Sequence, residues 1–174
     1  PRLRVRDLFL EKAHVDLLVC DTAEKLSEKA RKLGLNIDSK STWDDIYFSI
    51  WFNFVEKNLP HDKAVFVYRY PVSQSALSMI DADTDGSLWA RRFEPFVGGL
   101  ELGNAFEELT DPVEQRRRFV EDMGLREKIY GRSFAKSPID EEFLLALEEG
   151  MPPAGGIAVG VDRLVMLLAD EPDI

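Results

Sequence analysis

The chain of 174 residues carries 22 basic and 32 acidic side chains, which gives a formal charge of −10. That balance argues against a surface devoted to coating nucleic acid, because phosphate contacts need clustered Lys and Arg. One cysteine rules out an internal disulfide framework, and one cysteine with two histidines argues against a structural zinc site. Hydrophobic residues make up 45% of the chain, which is enough to bury a core.

The hydropathy pattern argues against a membrane protein. No apolar run approaches the roughly 20 residues of a membrane-spanning helix. The first residues, Pro1 to Arg6, lack the apolar stretch of a signal peptide. We therefore expect a cytoplasmic protein that makes no membrane contact and forms one domain or one large part of a domain.

Helical spacing of apolar residues dominates residues 1–60. Asp21 or Thr22 is placed to cap a helix that ends near Gly34, and Thr42 is placed to start another one. The second of these helices carries a broad apolar face rich in aromatic residues and should end before Pro60. Residues 1–60 are therefore predicted to be helical.

Residues 61–174 combine strands with helices. A β-branched and aromatic run predicts a strand over 64–70, and a Gly98-Gly99 turn predicts a hairpin between 92–97 and the segment from Leu100. The remaining predicted elements are a helix from Asp111-Pro112 to about Met123, a helix from Asp140 to Gly150, a strand from Gly155 to Val161 and a last helix capped by Asp162. The pattern indicates an α+β fold in which helices flank a mostly antiparallel sheet.

The predicted strand at 155–161 has one nearly bare face, because its small and apolar residues alternate. The bare set is Gly156, Ala158 and Gly160, and the set predicted to enter the core is Ile157, Val159 and Val161. A bare strip suits a flat group lying against the backbone, such as an adenine ring or a substrate, and it equally suits close packing of a helix. Arg163 follows in the first turn of a helix, where it is either a phosphate ligand or an ordinary surface arginine.

A second strand, which starts at Leu100, carries carboxylates. Alternation puts Glu101, Gly103 and Ala105 on one face and Leu100 and Leu102 on the other. Glu108 lies seven residues after Glu101, so the two carboxylates converge only if the chain bends or bulges near residues 103–105. A converging pair would suit Mg²⁺, whereas separate carboxylates would form a solvated acidic edge.

Together these segments resemble the catalytic core of class II aminoacyl-tRNA synthetases of the lysine type. The string Gly155-Gly156-x-Ala158-x-Gly160-x-Asp162-Arg163 is similar to the glycine-rich strand and arginine of the third signature motif of that class. The string Gly99-x-Glu101-Leu102-Gly103-Asn104-Ala105-Phe106-x-Glu108-Leu109 is similar to the strand and turn that carry the metal-binding acids of lysyl-tRNA synthetases. The resemblance is strong from Phe66 to Leu168 and weak before Thr42.

Three shorter segments are similar to those of a paralogous family, the ligases that attach β-lysine to a lysine of elongation factor P. These segments are residues 66–77 with the Tyr70-Pro71-Val72-Ser73-Gln74 string, the triplet Arg92-Phe93-Glu94 and the turn Gly150-Met151-Pro152. Ala158 stands where lysyl-tRNA synthetases usually carry glycine and the β-lysine ligases carry alanine. Its methyl group would shorten the floor of the pocket and favour a substrate with a shifted amino group.

The resemblance implies an ATP-dependent ligase that uses Mg²⁺ to form a lysyl or β-lysyl adenylate. It implies that Arg163 and Glu101 are catalytic, that Glu101, Leu102, Gly160 and Arg163 bind ATP, that Gly103, Asn104, Glu108 and Ala158 bind the amino acid, and that Glu101 and Glu108 bind the metal. The second motif of the class, which grips the α-phosphate, and the first motif, which builds the dimer interface, have no counterpart in this sequence. We therefore expect residues 1–174 to be the C-terminal part of a catalytic domain, with the active-site motifs in 61–174 and a homodimer only in a full-length form.

Three functions fit these expectations. The first is transfer of lysine or β-lysine to elongation factor P, and the second is charging of tRNA-Lys by a lysyl-tRNA synthetase of which this chain is a fragment. The third is a non-catalytic domain that binds a nucleotide or a partner. The acidic balance and the lack of an anticodon-binding module favour the protein acceptor, whereas the missing second motif favours the non-catalytic domain.

Overall fold

One sheet organises the protein, whose computed structural model describes residues 1–130 and 138–171. Its strands are β1 (Arg2–Arg4), β2 (Val65–Tyr70), β3 (Ile80–Ala82), β4 (Leu88–Val97), β5 (Leu100–Glu101), β6 (Gly103–Glu107) and β7 (Gly155–Val159). The order across the sheet is β1-β2-β4-β6-β7, and β3 and β5 pair with parts of β4. The β1–β2 pair is parallel and the other described pairs are antiparallel, which confirms the predicted α+β fold with a mostly antiparallel sheet.

Four of the six described helices begin at the capping residues predicted for them, and the exceptions are the first and the last. The helices are α1 (Val5–Ala13), α2 (Ala23–Lys32), α3 (Trp43–Ile50), α4 (Pro112–Tyr130), α5 (Glu141–Gly150) and α6 (Val161–Ala169). The side chains of Thr22, Thr42 and Asp140 each accept a backbone N–H group of the first turn that follows. After α3 the chain continues as a π-helix (Trp51–Val55) and a 3-10 helix (Glu56–Asn58), and it leaves the helical path before Pro60 as predicted.

The core lies on one face of the sheet, which we call the front face. Val65 opposes Phe96 and Val67 opposes Glu94. Opposed residues of an antiparallel pair share a face, so these four side chains define the front. Helix α1 and the helix that begins with α3 cover this part of the sheet with buried, mutually stacked aromatic rings: Phe9, Tyr47 and Trp51. The front of β7 remains accessible, since Ala158 is exposed.

This arrangement contradicts the predicted burial of the apolar residues of β7. Ile157 opposes Ala105 and Val159 opposes Gly103, and both lie on the back face. Ile157 is 52% exposed, Val159 49% and Val161 66%, so they do not enter the core. The alternation along the strand is as predicted, but the helices of the first sixty residues pack on the front.

Several boundaries also differ from the predictions. Residues 1–60 include the three-residue strand β1, which depends on pairing with the distant strand β2. Helix α4 continues to Tyr130 instead of ending near Met123, and β4 already begins at Leu88. Gly160 is the N-cap of α6, so Asp162 lies in the first turn of that helix and does not cap it.

Candidate active site

A β-bulge determines which side chains of β5 and β6 reach the front face. Strand β4 advances three residues from 93 to 96, while the opposite chain uses four residues from 101 to 105. The extra residue near Leu102 reverses the alternation. Glu101 opposes Phe96 and therefore faces the front, which corrects the prediction that it shares a face with Gly103 and Ala105. Its front-face neighbours farther along the chain are Asn104, Phe106 and Glu108.

The small residues of β7 form an open floor beneath these side chains. Asn104 opposes Ala158 and Phe106 opposes Gly156, so both small residues face the front. The Glu108 carboxylate lies directly over Gly156, in the space that a Cβ atom would take. The bare strip predicted for this strand therefore faces the polar groups of β6.

Arg163 and Glu101, the two residues predicted to be catalytic, are in contact. Nη1 of Arg163 donates to the backbone carbonyl of Glu101 at 2.8 Å and lies 3.3 Å from Oε2 of the same residue. The Gly160 N–H donates to the Leu102 carbonyl at 2.9 Å, which holds the start of α6 beside Glu101. The Arg163 and Glu101 side chains are 49% and 36% exposed, so the ion pair adds little stability and both groups are accessible to a ligand.

A buried charged pair, Arg92 and Glu94, lies next to these residues and was not among the predicted site residues. Arg92 donates Nη2 to Oε1 of Glu94 and Nε to Oδ1 of Asn104, the latter at 2.9 Å. The hydroxyl of Tyr70 donates to Oε2 of Glu94, and its ring centroid lies 4.5 Å from the guanidinium carbon of Arg92. Both carboxylate oxygens of Glu94 are thus hydrogen-bonded, as a buried charge requires.

Burial raises the pKa of Glu94, and the negative charge of Glu101 raises it further, whereas the hydrogen bond from Tyr70 and the charge of Arg92 lower it. Alternation alone places Arg92 and Glu94 on one face, because they are two residues apart in a strand. Their burial has no local signal, since it depends on Tyr70 from another strand and on the helices over the front face. The site role of Arg92 and Glu94 could therefore not be predicted from the sequence, where the triplet 92–94 served only as part of the family resemblance.

Glu101 and Glu108, the predicted metal ligands, both face the front of the sheet. Glu101 lies beside the start of α6, where Arg163 contacts it, and the Glu108 carboxylate lies over Gly156 of β7. The bulge near Leu102 puts both carboxylates on one face, as binding of one metal ion by both would require. Their pairing as metal ligands stays a prediction.

Glu101 and Glu108 remain the predicted Mg²⁺ ligands. Glu94 is a diagonal neighbour of Glu101 on the front face, but it is 8% exposed and both of its oxygens already accept hydrogen bonds. Across residues 1–130 and 138–171, no group of three or more His, Cys, Asp or Glu side chains could hold a metal ion by itself. Two carboxylates fit Mg²⁺ that also binds phosphate oxygens and water, so this donor set suits a metal bound together with a nucleotide.

Gly103, a predicted amino-acid ligand, lies on the back face and does not line the floor. It opposes Val159, and a Cβ atom there would stand 2.7 Å from the backbone oxygen of Ala158. Glycine is needed at this position because β6 and β7 approach closely. Gly103 therefore supports the floor from behind.

Residues 12–174 match the family model described as tRNA synthetases class II (D, K and N). The elongation factor P--(R)-beta-lysine ligase of Pectobacterium atrosepticum is 41% identical over 167 residues, which cover 95% of this chain and 50% of that ligase. The lysine--tRNA ligase of Sinorhizobium medicae is 36% identical over 174 residues, and that of Dehalococcoides mccartyi is 38% identical over 174 residues; each alignment covers 100% of this chain and 34% of the enzyme.

The chain thus spans about half the length of the matched β-lysine ligase and about a third of the matched lysine--tRNA ligases. Among the residues that the structure describes, none belongs to a helix long and apolar enough to cross a bilayer.

Proposed function

This chain belongs to the family of class II tRNA synthetases (D, K and N), and from that premise we propose that it activates β-lysine as an adenylate and transfers it to a lysine of elongation factor P. Its matched relatives are ligases that act on β-lysine or on lysine. The observation that carries the proposal is the contact between Arg163 and Glu101 at the end of the bare strip of β7. It supports a nucleotide lying along the floor with its phosphates at the guanidinium.

In the proposed reaction, a carboxylate oxygen of β-lysine attacks the α-phosphorus of ATP, the bond to the bridging oxygen breaks, and pyrophosphate leaves. The amine of the acceptor lysine then attacks the acyl carbon, gives up a proton, and AMP leaves with the electrons of the broken bond. Charge develops on the phosphate oxygens in the first step, so catalysis rests on positioning and on electrostatic stabilisation.

The proposed nucleotide ligands lie at one end of the floor and the proposed amino-acid ligands lie toward the other end. Arg163 would hold the terminal phosphates, and the backbone at Gly160 and Leu102 would let adenosine approach the sheet. Glu101, with Glu108 as the second predicted ligand, would hold Mg²⁺, which when bound neutralises charge on the leaving phosphate oxygens. Toward the other end, Asn104 and Glu108 offer oxygens that suit the ammonium groups of the amino acid.

Adjacent glycines of β7 allow a test of this pocket, because they face opposite sides of the sheet. In Gly156→Ala the new methyl group takes the space of the Glu108 carboxylate, whereas a methyl group at Gly155 would stand at an ordinary 3.4 Å from the Phe106 carbonyl oxygen. We expect Gly156→Ala to weaken amino-acid binding by about 1–3 kcal/mol, or roughly 10- to 200-fold in KM.

The flexible Glu108 side chain can turn away from the new methyl group, so the thermal stability of Gly156→Ala should change little. Gly155→Ala is the matched control and should leave KM for the amino acid unchanged. Equal KM values for the two variants in pyrophosphate exchange would contradict the placement of Glu108 in the pocket.

The direct test of the function is ATP–pyrophosphate exchange by the full-length protein with Mg²⁺ and either lysine or (R)-β-lysine. We expect faster exchange with β-lysine and transfer of its label to elongation factor P. A second candidate is charging of tRNA-Lys, which the 36% identity across the whole chain favours. Faster exchange with lysine and label on tRNA would select that candidate. Calorimetric ATP binding without any exchange would select a non-catalytic domain.

Ala158 bears on the choice between lysine and β-lysine, because its methyl group lies on the floor opposite Asn104. Ala158→Gly deepens the floor by one methyl group, which is worth about 1–3 kcal/mol in a pocket that fits its substrate. We expect the ratio of kcat/KM for β-lysine to that for lysine to fall. Exchange rates with both amino acids, measured on the same preparation, give that ratio, and an unchanged ratio would mean that Ala158 does not touch the amino acid.

A further inference from the structure

Arg118 differs from the two arginines that precede it on α4. Its side chain is 13% exposed, against 45% for Arg116 and 54% for Arg117. Arg116 and Arg117 thus face the solvent, and Arg118 is the exception in this run of three. We propose that Arg118 is a positioning residue that sets the place of the Glu108 carboxylate and thereby the affinity for the amino acid.

Arg118 holds a tight turn formed by residues 75–78. Its Nη1 donates to the carbonyls of Ala76 at 3.0 Å and Ser78 at 2.8 Å, and it lies 3.3 Å from Oγ of Ser75. The turn closes through the Ser78 N–H and the Ser75 carbonyl at 2.7 Å. Ala76 has a φ of +46°, which is unfavourable for a residue with a Cβ atom, so the turn needs contacts that hold it in this conformation.

The guanidinium is itself oriented by its own helix. Nε of Arg118 donates to Oε1 of Glu114 at 2.8 Å, one helical turn earlier. Hydrogen bonds from Arg117 and Arg118 lower the pKa of Glu114 to about 2, so the carboxylate stays ionised at neutral pH. The guanidinium of Arg118 is thus held on one side by Glu114 and on the other by the turn, whereas a solvated arginine has no such fixed partners.

The turn is joined directly to the strand end that carries Glu108. Ser78 and Glu108 form a β-bridge, flanked by hydrogen bonds from the Met79 N–H to the Glu107 carbonyl and from the Leu109 N–H to the Leu77 carbonyl, both at 2.8 Å. The register of this bridge determines where the Glu108 side chain leaves the backbone. The carboxylate lies over Gly156, so a shift of the turn moves it along the floor.

Arg92, a residue of the candidate site, binds the start of the segment that contains this turn. Nη1 of Arg92 donates to the Gln74 carbonyl at 3.1 Å, while its Nε binds Asn104. The segment 74–78 therefore lies between two guanidinium groups, Arg92 in the site and Arg118 outside it. Loss of Arg118 leaves the segment held by Arg92 at Gln74 and by the β-bridge to Glu108, without the contacts that fix the turn between them.

The inference rests on the proposed function for the identity of the ligand near Glu108, so its test has two arms on the full-length protein. In pyrophosphate exchange, Arg118→Ala should raise KM for the amino acid by roughly 10- to 100-fold, as expected when a binding group is displaced by about 1 Å. KM for ATP should rise much less, because Arg163 and Glu101 lie toward the other end of β7. In hydrogen exchange, the amides of Met79 and Leu109 should exchange faster than in the parent protein.

Arg117→Ala is the matched control, because it removes the same charge from the next position on the helix. Equal KM values in Arg117→Ala and Arg118→Ala, or an equal rise in KM for both substrates, would overturn the inference. If Arg118→Ala does not fold, the same measurements are made on Arg118→Lys. Lysine keeps the charge but cannot contact the three oxygens of the turn at once, so the same rise in KM for the amino acid is expected. If the parent protein exchanges no pyrophosphate, the proposed function fails, and unchanged hydrogen exchange at Leu109 then overturns the positioning role separately.

Discussion

Replacing Arg163 with alanine should lower the rate of ATP–pyrophosphate exchange by roughly 30- to 1000-fold, which corresponds to about 2–4 kcal/mol of lost transition-state stabilisation. The guanidinium lies at the end of the bare floor and is 49% exposed, so it can turn from Glu101 to a phosphate without breaking a buried contact. Its charge is needed most when negative charge grows on the leaving pyrophosphate. The loss should therefore appear in kcat more than in KM for the amino acid.

The control for Arg163→Ala is Arg126→Ala, which removes an exposed arginine that pairs with Asp122 on its own helix. The folded fraction of both variants should equal that of the parent protein by circular dichroism. Equal exchange rates in the two variants would show that Arg163 does not act on the phosphates. A loss confined to KM for ATP would indicate binding without stabilisation of the transition state.

Removal of Arg92 should destabilise the protein by about 3–5 kcal/mol, because it leaves the buried Glu94 carboxylate without its ion-pair partner. The two side chains are only 17% and 8% exposed, so water cannot replace the lost hydrogen bonds. Denaturant unfolding at neutral pH measures the change in the free energy of unfolding. Arg91→Ala, at a 40% exposed neighbour on the back face, is the matched control.

The loss in Arg92→Ala should shrink as the pH falls. The pKa of Glu94 is already raised by burial, and removal of the Arg92 charge removes one of the influences that lower it. A carboxyl group with a raised pKa in the folded state contributes stability below its unfolded pKa, and that contribution is lost as the pH rises through the folded value. Arg92→Ala, Glu94→Gln should recover much of the stability at neutral pH. An Arg92→Ala variant as stable as Arg91→Ala would contradict the argument.

Local features of this fold could be predicted from the sequence, because their causes lie within a few residues. Thr42 and Asp140 cap helices through side chains that bond to the next turn, and the Gly98-Gly99 turn closes its hairpin, with both glycines at positive φ. The face of Glu101 was predicted incorrectly because the bulge near Leu102 arises from pairing with β4. The burial of Ile157 was predicted incorrectly because alternation does not say which face of a sheet is covered.

Only the part of the candidate site that lies on a single strand and its next residues could be predicted from the sequence. The bare strip of β7 and the arginine that follows it are adjacent in sequence, and their relation to Glu101 came from the resemblance. Glu94 has two hydrogen-bond partners, Tyr70 and Arg92, and the first of them comes from another strand. The proposed roles of the site residues remain predictions until the variants above are measured.

The extra residue between β5 and β6 determines which surface carries the side chains on either side of it. Glu101 and Asn104 are three residues apart, an odd separation that would put them on opposite faces of a regular strand, and the bulge keeps both on the front face. Deletion of one residue between them would remove the bulge and leave an even separation, so both side chains would still face the front, whereas straightening the strand without a deletion would turn one of them to the back. Transplanting the acidic hairpin onto another scaffold would therefore require copying the bulge together with its spacing.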